Sequence, residues 1–301
     1  MRYILQPSLR VAGRFDEWLG DNDFVELAVM AEQAGFDAIA ETDHPFPPAQ
    51  LVARGGHHSL DLFVALSFAA ARTRRLKVMT NIMVTGYRNP YLAAKACATL
   101  DKLSGGRLIL GMAAGYVAEE FAALGGSFEQ RGRRFDEAIS AMRSAWTGDV
   151  VHRNGFFPAD GHVMAPSPAT PGGPPIWIGG NSERAARRAV ELGDGWMPMP
   201  AGEKVAAFAG TVPLASLEVL AARVSDVQRR REELGKPPLD IAFGSFSLTG
   251  DNEARFQQLA RDSNAYEDAG VTAVPVLIDG RSFAETAELV QRFHEVVLAA
   301  H

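Results

Sequence analysis

Along the whole chain, short runs of apolar and β-branched residues alternate with longer stretches whose apolar positions recur every three or four residues. The first run, Tyr3 to Leu9, is followed after a Gly- and Asp-rich turn by a helical stretch from Asp23 to Ala34, in which Phe24, Leu27, Ala28 and Ala31 share one face. Gly35 ends it. A second strand is predicted over Asp37 to Thr42, then a helix from an N-cap at Ser59 to about Arg74, then a third strand over Leu76 to Val84. Asn89-Pro90 opens a helix running to about Leu103, because proline suits a first helical turn, and Ser104-Gly105-Gly106 closes it. The fourth strand is Arg107 to Ala113, and the helix after it carries Phe135, Ile139, Met142 and Trp146.

The Gly- and Pro-rich segment 148–174 has few helix formers and reads as an insertion with room for a hairpin. Beyond it come a fifth strand, Pro175 to Gly180, with its helix Ser182 to Leu192, and a short sixth, Gly195 to Pro198. A long helix, Pro213 to Leu234, leads to a seventh strand, Leu239 to Leu248. Helices Glu253 to Ala269 and Ser282 to Ala300 flank the eighth, Ala273 to Ile278. Strand and crossover helix alternate with no linker between them, which predicts a parallel sheet. Eight units within 301 residues fit a single (β/α)8 TIM barrel over 1–301, with one insertion between the fourth helix and fifth strand, better than an open doubly wound sheet.

Composition narrows the partners. A net charge of −6 with both signs interspersed supplies no basic stripe for nucleic acid. The single cysteine, Cys97, can build neither a disulfide framework nor a thiolate metal cluster. No apolar run reaches membrane-spanning length, and the first residues lack the apolar core of a secretory signal, so a cytoplasmic protein without a membrane partner is expected.

In barrels the chemistry sits on the loops after the strands. Four groups fall there: Asp43 and His44; Asn81 to Val84; Gly115 to Glu120; and Gly179 to Ser182. His44 is the candidate for proton transfer, with Asp43 placed to orient it, although a histidine capping the turn before Pro45 is an equal reading. Gly179-Gly180-Asn181-Ser182 precedes a helix, where free amides suit an anion, yet an ordinary strand-to-helix turn explains it as well. Gly111 to Gly115 lacks the spacing of a dinucleotide fingerprint. His57-His58 reads as a solvated pair with no metal, and Arg131, Arg133 and Arg134 as a solvated face.

Taken in order, several stretches resemble the bacterial luciferase-like superfamily, and within it the flavin- and coenzyme F420-dependent oxidoreductases. They are Arg88-Asn89-Pro90, Ala94-Lys95, Ala98 through Arg107, Leu110-Gly111, Gly115, Glu119, Gly125, Phe128, Arg131, Glu137, Trp146, Pro174-Pro175-Ile176, Gly179-Gly180 and Gly193 through Trp196. The resemblance implies a bulge and a non-proline cis peptide in Thr80-Asn81-Ile82-Met83, between Asn81 and Ile82, behind a tricyclic ring. It implies cofactor phosphate at Gly179, Gly180, Asn181 and Ser182, and Asp43 and His44 beside the reactive centre. Tyr116 departs from the glutamate expected in related sugar-phosphate dehydrogenases, leaving Tyr116 or Glu119 for a polar role, while Trp177 and Trp196 either wall the pocket or pack.

The lone histidine and the Asn-Ile bulge look like the deazaflavin branch. Coenzyme F420 is therefore the expected cofactor, with FMN the alternative, and hydride transfer to or from a small organic substrate the expected reaction. With FMN, a monooxygenase fed by a separate reductase is the alternative; a non-catalytic cofactor-binding protein is a third reading. A metal-dependent hydrolase is weakest, since Gln6-Pro7-Ser8 supplies no histidine pair. The resemblance also implies a homodimer.

Overall fold

The computed structural model describes residues 1–7, 23–54, 56–244, 246–248, 253–278 and 280–298. Ser8, Leu9, the Gly- and Asp-rich turn after them, Ser245, Ala299 and Ala300, all assigned above from the sequence, lie outside the described residues.

The chain folds around a parallel sheet. Its strands are β1 (Arg2–Pro7), β2 (Ala38–Glu41), β3 (Lys77–Val84) and β4 (Leu108–Ala113), then β7 (Ile176–Gly179), β8 (Gly195–Met197), β9 (Asp240–Ile241), β10 (Phe246–Leu248) and β11 (Ala273–Ile278). They lie in the order β10-β11-β1-β2-β3-β4-β7-β8-β9. The sheet curls until its far side returns on itself: Ala242, one residue past β9, bridges Ala273, and Phe243 N–H donates to the Ala273 carbonyl at 3.1 Å. Within 148–174, β5 (Val151–Arg153) and β6 (Ala159–His162) form a separate antiparallel pair.

Alternation along the strands builds two apolar layers. Ile4, Ala38, Ala40, Met79, Ile109, Trp177, Met197, Ala242 and Ala273 meet inside the curl. Their neighbours Tyr3, Leu5, Ile39, Val78, Leu108, Leu110, Ile176 and Ile178 face outward into the core shared with the helices. The helices α1 (Asp23–Ala34), α2 (Ala49–Ala53), α3 (Leu62–Arg72), α4 (Pro90–Ser104), α5 (Ala118–Ala123), α6 (Arg131–Trp146) and α7 (Glu183–Leu192) lie between strands. So do α8 (Glu203–Phe208), α9 (Leu217–Glu233) and α10 (Glu253–Asp268), and α11 (Phe283–Phe293) follows the last strand.

Their ends obey local chemistry. Asn89 accepts from the Tyr91 amide at 2.9 Å ahead of Pro90, and Gly105 closes α4 at φ +73°, a left-handed conformation that a Cβ disfavours. Ser182 caps α7 through the Ala185 amide at 3.2 Å.

Four expectations shift. Asp61 caps α3, accepting from the Phe63 and Val64 amides at 3.0 Å each, and Ser59 serves elsewhere. The helix expected from Pro213 starts at Leu217 behind the Ser216 cap. The seventh strand is split into β9 and β10 around Gly244, at φ +123°. The end of α11 continues as a π-helical turn, His294–Leu298.

At Gly111 the backbone of β3 leaves no room for a side chain on β4. A Cβ there would lie 2.2 Å from the Thr80 carbonyl oxygen and 3.1 Å from Met197 Sδ, and a backbone oxygen cannot rotate away. Gly111→Ala is therefore expected to cost about 3 kcal/mol. Urea denaturation checks this as a lowered midpoint with an unchanged slope.

Candidate active site

The carboxyl ends of β2, β3, β4 and β7 converge. At the end of β2, Asp43 is buried and accepts from the Arg88 guanidinium through both oxygens, at 2.6 and 2.7 Å, and from Val84 N–H at 2.8 Å. This bidentate pair fastens the residues after β2 to the end of β3. Both Asp43 oxygens face Arg88 and β3, and the histidine next to it is held by another acid.

His44 is instead gripped by Glu120. Its Nδ1 lies 3.0 Å from Glu120 Oε2, and its backbone N–H donates to Ser59 Oγ at 2.9 Å. The same Glu120 oxygen accepts from the Tyr87 hydroxyl at 2.8 Å, and Oε1 accepts from Phe46 N–H at 3.0 Å. Burial of Glu120, 0% exposed, opposes its ionisation, but these donors outweigh it and hold the carboxyl below its usual range. Burial first, and Glu120 second, push the Tyr87 phenol up, so that hydroxyl keeps its proton and donates it. An ionised Glu120 accepts only, which puts a proton on His44 Nδ1 and leaves Nε2 as the exchangeable nitrogen.

Glu119, the acid marked from the sequence, is exposed. The signal for Glu120 was present: Val117, Glu120, Phe121 and Leu124 share one helical face, and Val117, Glu120 and Phe121 are buried. Arg88 and Tyr87 were also missed as site residues, since only the fold brings them to Asp43 and Glu120.

On β3, the Asn81-Ile82 peptide is cis, and the register against β4 shifts between Thr80 and Met83. Asn81 Nδ2 donates to Gln6 Oε1 at 2.9 Å, while Thr80 is buried with its hydroxyl on the Gly111 carbonyl at 2.8 Å. Ile82 leans on Gly179, where a Cβ would fall 2.4 Å from Ile82 Cδ1, so the ends of β3 and β7 meet over a glycine. Gly115, at φ +84°, turns its carbonyl to Arg131 Nε at 3.1 Å. The Tyr116 ring stands 6.3 Å from His44 and 6.1 Å from Phe208.

The turn into α7 is only partly open. Gly180 N–H donates to the Met197 carbonyl at 3.1 Å and Asn181 N–H to Thr211 Oγ1 at 3.3 Å. The Asn181 side chain is buried and spent on Met199 and Val212. Ser182 and the first amides of α7 follow, in the turn that has no intrahelical acceptors.

Other side chains sit differently from their sequence reading. Trp177 and Trp196 are fully buried and do not wall the mouth: Trp196 Nε1 donates to the Gly180 carbonyl at 3.0 Å, and Trp177 fills the inside of the sheet. His57 is half-buried with its ring 5.0 Å from that of His44. Arg131 lies 3.9 Å over the Phe128 ring and is half-buried, while Arg133 is exposed. Among the described residues, no three His, Cys, Asp or Glu side chains gather to hold a metal ion, and no helix is long and apolar enough to cross a membrane. A cavity of about 310 Å³ opens at the opposite end of the sheet, by Arg2, Ala38, Lys77 and Ala273, away from this chemistry.

Fold and site define an α/β protein with a curled parallel sheet and a His44–Glu120 pair at the carboxyl strand ends. The chain belongs to the luciferase-like monooxygenase family, whose profile matches residues 19–296. It is 35% identical over 187 residues to an F420-dependent glucose-6-phosphate dehydrogenase of Rhodococcus erythropolis, covering 60% of this chain and 54% of the relative. The chain thus spans about half the length of that relative. It is 32% identical over 267 residues to an uncharacterized protein of Mycobacterium bovis, covering 84% of each. The monooxygenase RslO1 from Streptomyces bottropensis superposes with a TM-score of 0.81 at 21% identity over 99% of both chains. An F420-dependent secondary alcohol dehydrogenase, in complex with an F420–acetone adduct, does so with 0.77 at 18% identity over 100% of this chain and 99% of that one. At such identities the likeness is one of fold.

Glu41, at the end of β2, is a third buried acid in the region, beside Asp43 and Glu120. Its Oε1 accepts from Thr42 N–H at 2.9 Å, and Oε2 has no partner among the described residues. Burial pushes this carboxyl from 4.5 up to about 8, with the nearby Asp43 adding to the rise. A raised value favours the protonated folded state, so its stabilisation is full below pH 4.5 and drains away as pH climbs to about 8, each unit being worth about 1.4 kcal/mol. Glu120 has the opposite sign: its contribution is present above 4.5 and lost as pH falls through its depressed value. In thermal unfolding across pH, Glu41→Gln is expected to flatten the fall between pH 5 and 8, and Glu120→Gln to flatten the acid limb alone.

Proposed function

We propose that this protein is a coenzyme F420-dependent oxidoreductase that moves a hydride between the deazaflavin and a small organic substrate, while His44 handles the accompanying proton. The observation that carries the reading is His44, oriented by the buried Glu120 at 3.0 Å, beside the irregular end of β3. The F420-dependent name of the Rhodococcus relative supports the cofactor. We read the sheet as a closed (β/α)8 barrel over the whole chain, with β9 and β10 as halves of one strand and 148–174 as its insertion.

The residues present fit a flat, phosphate-bearing group. Gly179 keeps clear a space that any Cβ would take from Ile82, and this suits a ring lying against Asn81-Ile82. Because Gly180 and Asn181 amides are engaged, the phosphate would meet Ser182 and the first amides of α7, where the helix dipole favours an anion. When bound, the deazaflavin supplies a carbon that accepts or gives a hydride without activating oxygen. Glu120 fixes the tautomer of His44 so that Nε2 gives or takes the substrate proton. Asp43 and Arg88 keep the loop carrying His44 against β3. A separate enzyme would return the coenzyme to its starting oxidation state.

Fluorescence titration with coenzyme F420 and FMN side by side tests the cofactor; tight FMN binding without F420 binding would overturn this reading in favour of an oxygen-using monooxygenase. His44→Ala is expected to lower kcat/KM by about 100-fold or more with coenzyme affinity little changed. Binding without turnover of any alcohol, aldehyde, enone or imine would instead mark a cofactor carrier.

A further inference from the structure

The cavity of about 310 Å³ at the amino ends of the strands carries chemistry that the site around His44 does not use. Its wall is apolar where it enters the sheet, built from Ile4, Ala38, Ile109, Trp177 and Ala273 of the inner layer. Trp177 is 1% exposed, and its indole Nε1 has no partner among the described residues. The ring is confined on two sides. A Cβ on Gly195 would fall 2.5 Å from Trp177 Cδ1, and the Arg2 guanidinium stands 5.4 Å from the ring centroid. A buried donor without an acceptor is unfavourable, and an acceptor entering the cavity beside it relieves that cost.

The rim supplies positive charge. Strand alternation puts Lys77 on the face of β3 that Met79 turns into the sheet, which sets it at the mouth of the cavity. Arg75 lines the same mouth, and both residues are exposed. The carboxylates beside them are engaged. Glu32 accepts from the Arg74, Arg75 and Leu76 amides at 2.9, 2.6 and 2.8 Å, and Asp37 accepts from Tyr3 N–H at 2.8 Å. Arg2 is spent on Asp240 and Thr272. Among the described residues, neither the Arg75 nor the Lys77 side chain has a hydrogen-bonded acceptor.

We propose that this cavity is a second ligand site, for a small aromatic carboxylic acid with an ether or carbonyl oxygen on its ring. The ring lies among Ile4, Ala38, Ile109 and Ala273, the Trp177 Nε1–H donates to the ring oxygen, and Lys77 and Arg75 hold the carboxylate at the mouth. The apolar side chains of the wall offer no acceptor, so an ether or carbonyl suits it and a hydroxyl, which brings a donor of its own, does not. A volume near the lower end of the range for small-molecule sites fits a single ring. Uncommitted cations beside an apolar slot select an anionic head on an apolar body. The site lies at the opposite end of the sheet from His44 and does not depend on the oxidoreductase reading.

The test is calorimetric titration of the full chain with para-methoxybenzoate, its apolar isostere para-ethylbenzoate, and anisole, which lacks the carboxylate. Heteronuclear NMR follows the Trp177 indole N–H signal, assigned by its loss in Trp177→Phe. Para-methoxybenzoate is expected to bind one to one and to move that signal. Para-ethylbenzoate should bind about fivefold more weakly and anisole about tenfold more weakly, the losses of a neutral and of a charge-assisted hydrogen bond. Lys77→Met, at an exposed position, should weaken the acid about tenfold and leave anisole unchanged. His44→Ala and saturating coenzyme F420 should leave the affinity for the acid unchanged. If millimolar acid does not bind, water alone satisfies the indole and the proposal falls. Binding that leaves the Trp177 signal in place, equal affinity for anisole, indifference to Lys77→Met, or displacement of the acid by coenzyme F420 would each overturn it as well.

Discussion

The carboxylate of Glu120 accepts three hydrogen bonds from two segments that the sequence keeps far from it: the loop after β2, through His44 and Phe46, and the turn after β3, through Tyr87. Burying a charge of this kind costs several kcal/mol. Hydrogen bonds to an ionised group return about 1.5–3 kcal/mol each, and three of them suffice to keep it ionised. The geometry is therefore self-consistent: the charge is stable only while its donors are in place, and the donors are in place because the charge draws them. Without it, His44 would keep its backbone tie to Ser59 and its ring contacts with His57 and Tyr116, but would lose the hydrogen bond that fixes its ring nitrogens.

Most residues that mark the family in this chain serve the scaffold. Arg107 donates to Ala70, Leu76 and Ser104 carbonyls and to the Thr73 hydroxyl, closing the bottom of β3 and β4 against α3. Asp101 accepts from Thr170, Glu137 from the Phe156 amide, and the Trp146 indole N–H donates to the Ala94 carbonyl, so the 148–174 segment is pinned to α4 and α6. A motif-rich stretch can thus be dense in identity and poor in chemistry, while the catalytic candidates come from residues scattered between the motifs.

What the sequence discloses follows from how local each determinant is. The bounds of α1, the proline start and glycine end of α4 and the Ser182 cap depend on neighbours within a few residues, and these were legible. Ser59 and Asp61 are both good caps two residues apart, and the choice between them is made by the distant His44 amide, which claims Ser59. The split of the seventh strand turns on one glycine with a positive φ, a backbone fact without an apolar signature. For the site, His44 was visible from its place after a strand, whereas its partner required knowing which of two adjacent glutamates faces inward. The cis peptide at Asn81-Ile82 came from resemblance and not from any local rule.

The apolar cluster inside the curled sheet has a consequence for proton traffic. Ile4, Met79, Ile109, Trp177 and Met197 interlock there, and the one polar atom they bring, the Trp177 indole nitrogen, has no partner among the described residues. Protons travel along hydrogen-bonded groups and water, and side chains of this sort offer no relay. Among the described residues these side chains therefore offer no hydrogen-bonded path between the cavity at the opposite end of the sheet and His44 at the carboxyl ends.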